Sequence, residues 1–255
     1  MTPPSSSGCS VEADRLVYRY ADGRVALDGL SLRVEPGERL GIIGASGAGK
    51  STFLLHLNGV LLPYSGVMKI DNEPVRRDNA MRIRSRVGIV FQNPDDQLFT
   101  PTVEEDIAFG PLNLGCSPEE TRARVHTALA QMRLDGMEKR STHELSFGEK
   151  RRVALATVLA MQPSVIGFDE PFANLDPGMV EQVVDLIRSL PATVILISQE
   201  ILPALACTDR VAVFHHGKVA GIGPSFEIAR DQALLRQCGI DFHFYGRIWD
   251  RIAAR

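Results

Sequence analysis

The chain has 255 residues, 44% hydrophobic and 23% charged, with a net charge of −3. That suits one large soluble domain, or a domain carrying a sub-domain, which can bury its own core without staples. The charge gives no global reason to expect nucleic-acid binding, no run of 18 apolar residues is present to cross a membrane, and four scattered cysteines (Cys9, Cys116, Cys207, Cys238) form no CxxC, so they read as free thiols in a reducing compartment.

Residues 1–10, MTPPSSSGCS, are Pro/Ser-rich and are expected to be a disordered tail. No apolar stretch precedes Cys9, which argues against a secretory signal. Residues 15–43 read as β-structure: Leu16, Tyr18 and Tyr20 alternate with polar neighbours, then Leu30, Leu32 and Val34 alternate, and Leu40–Ile43 is a short buried-type strand. Phe53, Leu54 and Leu57 mark one face of a following helix. From about residue 93 to 163 the chain looks mainly helical. Ser117-Pro118-Glu119-Glu120 and Ser146-Phe147-Gly148-Glu149 both have the form of a capping box. Apolar strands at 165–168 and 193–197, separated by a helix near 178–190, imply a parallel sheet with helices on both faces. Val211–Phe214 and Lys218–Ile222 suggest a hairpin around Gly217.

Gly44-Ala45-Ser46-Gly47-Ala48-Gly49-Lys50-Ser51, followed by Thr52, fits the phosphate-loop pattern GxxxxGK[ST]. The glycines let successive backbone N–H groups point at phosphate oxygens, and the helix start adds its positive dipole end. Lys50 offers a cation to the β- and γ-phosphates, and the Ser51 hydroxyl can ligate Mg²⁺. Val165–Phe168 ends in Asp169 and Glu170, at the strand end where α/β proteins bind ligands. Asp169 is placed to hold Mg²⁺ and Glu170 to act as general base toward an attacking water. Taken alone, the pair could equally be two solvated acids in a loop. In Leu145–Glu149 the plain reading is a helix N-cap. Yet Lys150-Arg151-Arg152 puts three cations in the first turn, where the dipole disfavours them, as though something anionic approached.

Together these pieces resemble the nucleotide-binding subunit of an ATP-binding-cassette transporter. GASGAGKST (44–52), Gln92, LSFGE (145–149), VIGFDE (165–170) and Asn174-Leu175-Asp176 stand in that family's order across residues 15 to about 225. The resemblance implies an α/β fold: a P-loop NTPase (RecA-like) core, an N-terminal antiparallel β-subdomain and an inserted α-helical subdomain at about 93–163. The cassette would span 11–225 and be followed by a C-terminal extension, 226–255. It implies that ATP and Mg²⁺ are bound, that Tyr20 stacks on adenine, and that Gln92 senses Mg²⁺ and links the site to a membrane partner. Ser146 and Gly148 would contact the γ-phosphate held by an opposite subunit, and Asp176 would communicate across that interface. The partners would be a second cassette, identical or distinct, and integral membrane subunits, with this chain peripheral at the cytoplasmic face.

Phe91–Phe99 and Thr102–Pro111 further resemble the energy-coupling-factor class of vitamin and metal importers, and LSFGEKRRVALATVLAMQP is similar to the nickel or cobalt branch. Two other classes compete: a soluble cassette ATPase in DNA repair or translation, which usually brings tandem cassettes or basic arms, and a small-molecule P-loop kinase, in which LSFGE and Asp176 have no job.

The chain departs from the family pattern in places. Gln199 stands where most members have histidine; it can bond a phosphate oxygen but cannot become cationic. It either slows hydrolysis or keeps the switch's hydrogen bond and works adequately. Phe147 and Glu149 replace a glycine and a glutamine, and Glu149 is spaced to turn back and cap the helix. Gly167 leaves a small volume or admits a close neighbour. His215, His216 and His243 read as turn residues rather than metal ligands. Phe226, Leu234, Leu235, Phe242, Phe244, Tyr245 and Trp249 suggest a packed C-terminal extension.

Overall fold

The computed structural model describes residues 8–240. Phe242, His243, Phe244, Tyr245 and Trp249 lie outside the described residues. In chain order the elements are β1 (Val11–Arg19), β2 (Val25–Val34), β3 (Arg39–Ile43), α1 (Lys50–Leu57), β4 (Ser65–Ile70), β5 (Glu73–Pro74), α2 (Ala80–Arg84) and β6 (Val87–Val90). They continue as α3 (Val103–Asn113), α4 (Pro118–Gln131), α5 (Phe147–Ala160), β7 (Val165–Asp169), α6 (Pro177–Ser189) and β8 (Thr193–Ile197). The last are α7 (Ile201–Cys207), β9 (Arg210–His215), β10 (Lys218–Pro224), α8 (Ser225–Arg230) and α9 (Gln232–Gln237).

Period-2 alternation makes β1, β2 and β4 half-buried strands, and they pair antiparallel with β5 in the order β2-β1-β4-β5. The continuous apolar runs behave differently. β3, β6, β7 and β8 are buried along nearly their whole length and join a six-stranded sheet, β10-β9-β3-β8-β7-β6. Every pairing in it is parallel except the β9–β10 hairpin. This is the mixed α/β architecture expected from the sequence.

β9 shows how the sheet is covered. Ala212 and Phe214 face a core shared with α1 and the antiparallel sheet, while Val211 and Val213 face Ile228 and Leu235 of α8 and α9. A third apolar cluster joins β6, β7 and β8 to α3, α4, α5 and α6. Gly167 admits a close neighbour, as one of the two expectations held: a Cβ there would lie 2.6 Å from Leu54 Cδ1.

The caps follow local chemistry. Thr102 and Glu105 form a reciprocal capping box at the start of α3, and Ser146 and Glu149 do the same for α5. At α4 only half of the expected box forms: Ser117 Oγ accepts from the Glu120 N–H at 3.1 Å, but the Glu120 carboxylate turns to Arg124 at 2.7 Å. The tail expectation needs correction at its inner end. The Cys9 N–H donates to the Ser164 carbonyl at 3.4 Å and the Cys9 carbonyl accepts from Thr193 Oγ1 at 2.7 Å, so these residues are tied to the sheet's lower edge.

Candidate active site

β3 delivers the chain to a loop whose first and last glycines have no spare room. Gly49 has φ +99°, and a Cβ there would sit 2.4 Å from the Ala26 carbonyl; at Gly44 a Cβ would sit 2.4 Å from the Phe214 carbonyl. Only glycine satisfies both constraints. The loop closes on α1, and Lys50, its first residue, is 7% exposed. The ammonium folds back over the loop, donating to the carbonyls of Gly44 at 2.7 Å and Ala45 at 3.1 Å. Burial lowers the Lys50 pKa, and the carboxylates of Glu170 and Asp169 oppose that shift. The cation is thus held over the loop by two carbonyls that a phosphate oxygen could replace.

β7 brings the acid pair beside this loop. Ser51 Oγ donates to Asp169 Oδ1 at 3.2 Å. Glu170 is buried, and its backbone adopts φ +49°, a left-handed conformation unusual for a side-chain-bearing residue. Its N–H donates to the Ile197 carbonyl at 2.9 Å, and its Oε2 accepts from the Gln199 N–H at 2.8 Å. Burial raises the pKa of both acids. At Asp169 Ser51, Lys50 and Arg151 oppose the rise; at Glu170 the Gln199 N–H and Lys50 oppose it, while Asp169's charge adds to it.

A polar cleft of about 270 Å³ joins Tyr20, Ser46 to Thr52, Gln92, Glu170 and Gln199. At its outer end Tyr20 Oη and Thr52 Oγ1 are 2.8 Å apart, and the Arg24 guanidinium lies 4.9 Å from the Tyr20 ring centre. A larger cavity of about 860 Å³ lies between α4, α5 and α6 and contains none of the predicted site residues.

Ser146, Gly148 and Asp176 do not line the cleft. Ser146 is exposed at the tip of α5, with its Oγ donating to Glu149 Oε2 at 2.8 Å. Glu149 turns back as its spacing suggested, accepting also from the Ser146 N–H at 2.8 Å and pairing with Arg140 at 2.8 Å. Asp176 caps α6, its Oδ1 accepting from the Met179 N–H at 3.0 Å. The His215 and His216 rings meet edge to face at the β9–β10 turn, their centres 4.1 Å apart and their planes at 60°.

The expectation that Lys150, Arg151 and Arg152 await an external anion is corrected. Lys150 pairs with Asp95 at 2.6 Å, Arg151 donates to the carbonyls of Gln92 and Glu170, and Arg152 donates to those of Met132 and Arg133. The dipole objection to cations here is met by partners within the chain. The sequence carried a signal for Arg151: it lies three and seven residues before Ala154 and Val158, on the buried stripe of α5. Gln97 falls within the Phe91–Phe99 resemblance, which assigned it no role of its own. It accepts from the Phe91 N–H at 3.2 Å and donates to the Ala154 carbonyl at 2.7 Å, tying the Gln92 loop to α5.

The family model described as "ABC transporter" matches residues 27–173. The chain belongs to the ABC transporter family. It is 44% identical to the energy-coupling factor transporter ATP-binding protein EcfA of Methanothermobacter thermautotrophicus, over 90% of this chain and 76% of that protein. It is 42% identical to a putative ABC transporter ATP-binding protein of Streptomyces avermitilis, over 95% and 93% of the two chains. Among solved structures, cbiO1 from Clostridium perfringens, part of the ABC transporter complex cbiONQ, matches with a TM-score of 0.78 at 35% identity, covering 94% of this chain and 98% of that one. A dimeric ATP-binding cassette in a post-hydrolysis state, bound to ADP and Pi, matches with a TM-score of 0.77 at 28% identity, over 84% of this chain and 98% of that one. The chain is therefore an ATP-binding ABC cassette and an ATPase that energises a transporter.

Proposed function

We propose that this chain is the ATPase subunit of an energy-coupling-factor importer and works as one of two cassettes that sandwich ATP. One observation carries this reading. The cleft holds the phosphate loop and Glu170, while Ser146 and Gly148 are displayed outside it, so a second cassette is needed to bring a signature helix to the nucleotide. Ser51, Asp169 and Gln92 would hold Mg²⁺; the hydroxyl and carboxylate, already 3.2 Å apart, are the hard oxygen donors that ion takes. The ion would neutralise phosphate charge. Lys50 releases its two carbonyls to bind the β- and γ-phosphates, Tyr20 stacks on adenine, and the Gly44–Thr52 backbone cradles the triphosphate. Glu170, aimed by the Gln199 N–H, accepts the proton of the attacking water. Asp176 would answer to the partner cassette.

An exposed apolar patch supports docking of integral membrane subunits. Phe99 and Phe109 pack edge to face at 4.8 Å, with Leu112 nearby in α3, and all three are exposed. Buried Asp106 holds the base of the patch, accepting from the N–H groups of Phe99 and Thr100 at 3.2 and 3.3 Å. No helix among the described residues is long and apolar enough to cross a membrane, which suits a peripheral subunit at the cytoplasmic face. The cargo we assign is a transition-metal ion, cobalt or nickel, after the likeness to cbiO1 and the LSFGEKRRVALA stretch.

The test is Glu170→Gln. It should lower turnover by roughly a hundredfold or more, keep ATP binding, and trap an ATP-dependent dimer. A variant that stays monomeric at saturating ATP and Mg²⁺ would sink the sandwich. Cells expressing the chain with its co-purifying membrane subunits should accumulate cobalt or nickel; accumulation of a vitamin instead would reassign the cargo.

A further inference from the structure

Arg151 is 2% exposed and heads the largest fully buried side chains, yet its terminal nitrogens serve carbonyls from two separate segments, those of Gln92 and Glu170. A buried cation is a costly way to fill space, and an apolar side chain would pack more cheaply. What a guanidinium adds is a rigid planar fork that can hold two acceptors in one fixed register. The acceptors are telling. Glu170 sits at φ +49°, a left-handed backbone state that persists in a side-chain-bearing residue only where its surroundings hold it. Four ties surround it: the Ile197 carbonyl on its N–H, the Gln199 N–H on its carboxylate, and the Ala173 N–H and Arg151 on its carbonyl, Arg151 alone of these coming from the signature helix.

The same stretch of α5 grips the Gln92 segment at two further points. Lys150 pairs with Asp95 at 2.6 Å, and Gln97 Nε2 donates to Thr157 Oγ1 at 2.8 Å. The helix that carries Ser146 at its tip, the Gln92 segment and Glu170 are therefore joined through hydrogen bonds, and Arg151 alone among these groups touches all three.

We propose that Arg151 is a positioning residue for hydrolysis: from the signature helix it fixes the Gln92 and Glu170 backbones in one register, so a shift of that helix is felt through the Glu170 backbone at the water-activating carboxylate. This rests on Glu170 being the general base.

The test uses the full chain with Arg151→Lys and Arg151→Met. Turnover, the KM for ATP, equilibrium binding of a fluorescent ATP analogue and the thermal midpoint are measured on each. Lysine keeps the charge but loses the fork, so it should bind nucleotide within about twofold of wild type, melt normally, and lose roughly tenfold in kcat. Methionine should lose more in kcat than lysine, again with the smaller change in nucleotide affinity. If kcat is unchanged in both, or if kcat falls only in step with nucleotide affinity and thermal midpoint, Arg151 is a packing residue and the proposal fails. Should methionine prevent folding, the lysine variant decides alone. Glu170→Gln, run in parallel, separates the two failures. Retained turnover in Glu170→Gln removes the general-base reading; its loss beside an unaffected Arg151→Lys removes only the role of Arg151.

Discussion

The Gln199 N–H donates to Glu170 Oε2 at 2.8 Å, so the residue standing at the expected histidine position holds the carboxylate with its backbone. That bond survives any substitution at residue 199 that keeps the backbone N–H, which excludes only proline. The Gln199 side chain adds a weaker hydrogen bond to the same carboxylate and also lines the cleft, so a substitution there alters the side chain's part while the backbone hold remains.

Gln199→His should raise turnover about tenfold at neutral pH, if glutamine there slows hydrolysis, and should add a new rate dependence near the ordinary histidine pKa of about 6.5. Steady-state rates across that range check it. An unchanged rate means that the glutamine hydrogen bond suffices.

The pH dependence of stability has a defined sign. Burial raises the Glu170 pKa above its ordinary 4.5, so between that value and the raised one the folded chain binds more protons than the unfolded chain. Stability from this group is present at low pH and is lost as pH rises through the folded pKa. Glu170→Gln, which cannot ionise, should melt higher than wild type at pH of about 8, and the gap should narrow toward about 5. A gap independent of pH would contradict this.

Tyr20→Ala should raise the KM for ATP by roughly tenfold, since stacking a base on an aromatic ring contributes about 1–3 kcal/mol. Tyr20→Phe loses only the contact with Thr52 and should shift KM by about twofold or less. Equal losses in the two variants would show that the hydroxyl, not the ring, matters.

Gly167→Ala would drive a methyl into Leu54 Cδ1, which belongs to a fully buried side chain with little room to yield. A cost of about 1–3 kcal/mol is expected, seen as a lower midpoint in thermal or denaturant unfolding.

The sheet was legible because its strands are written as unbroken apolar runs. Val165–Phe168 and Thr193–Ile197 could go nowhere but a doubly covered parallel sheet. The phosphate loop was legible because its glycines answer to local geometry. The short β5 and α2 were not: at two and five residues they carry too little periodicity to stand out from loop. The α3 cap at Thr102 and Glu105 has the same form as the two caps that were found, but it lay inside a stretch that had been matched as a family motif. Arg151 escaped for a physical reason. Three adjacent cations look like one outward-facing turn awaiting an anion, whereas a helix turns 100° per residue and sends the middle one inward.

The partnering of Lys150, Arg151 and Arg152 also bears on how two cassettes would meet. Lys150 is neutralised by Asp95, whereas the two arginines, bonded to neutral carbonyls, are fixed in place but keep their charge; the α5 tip adds backbone N–H dipoles and the Ser146 hydroxyl, which act only over a few ångströms. Long-range attraction at this face would then be weaker than three free cations would give, and screened further by salt. Docking of both cassettes onto a shared membrane scaffold would supply by proximity what long-range attraction does not.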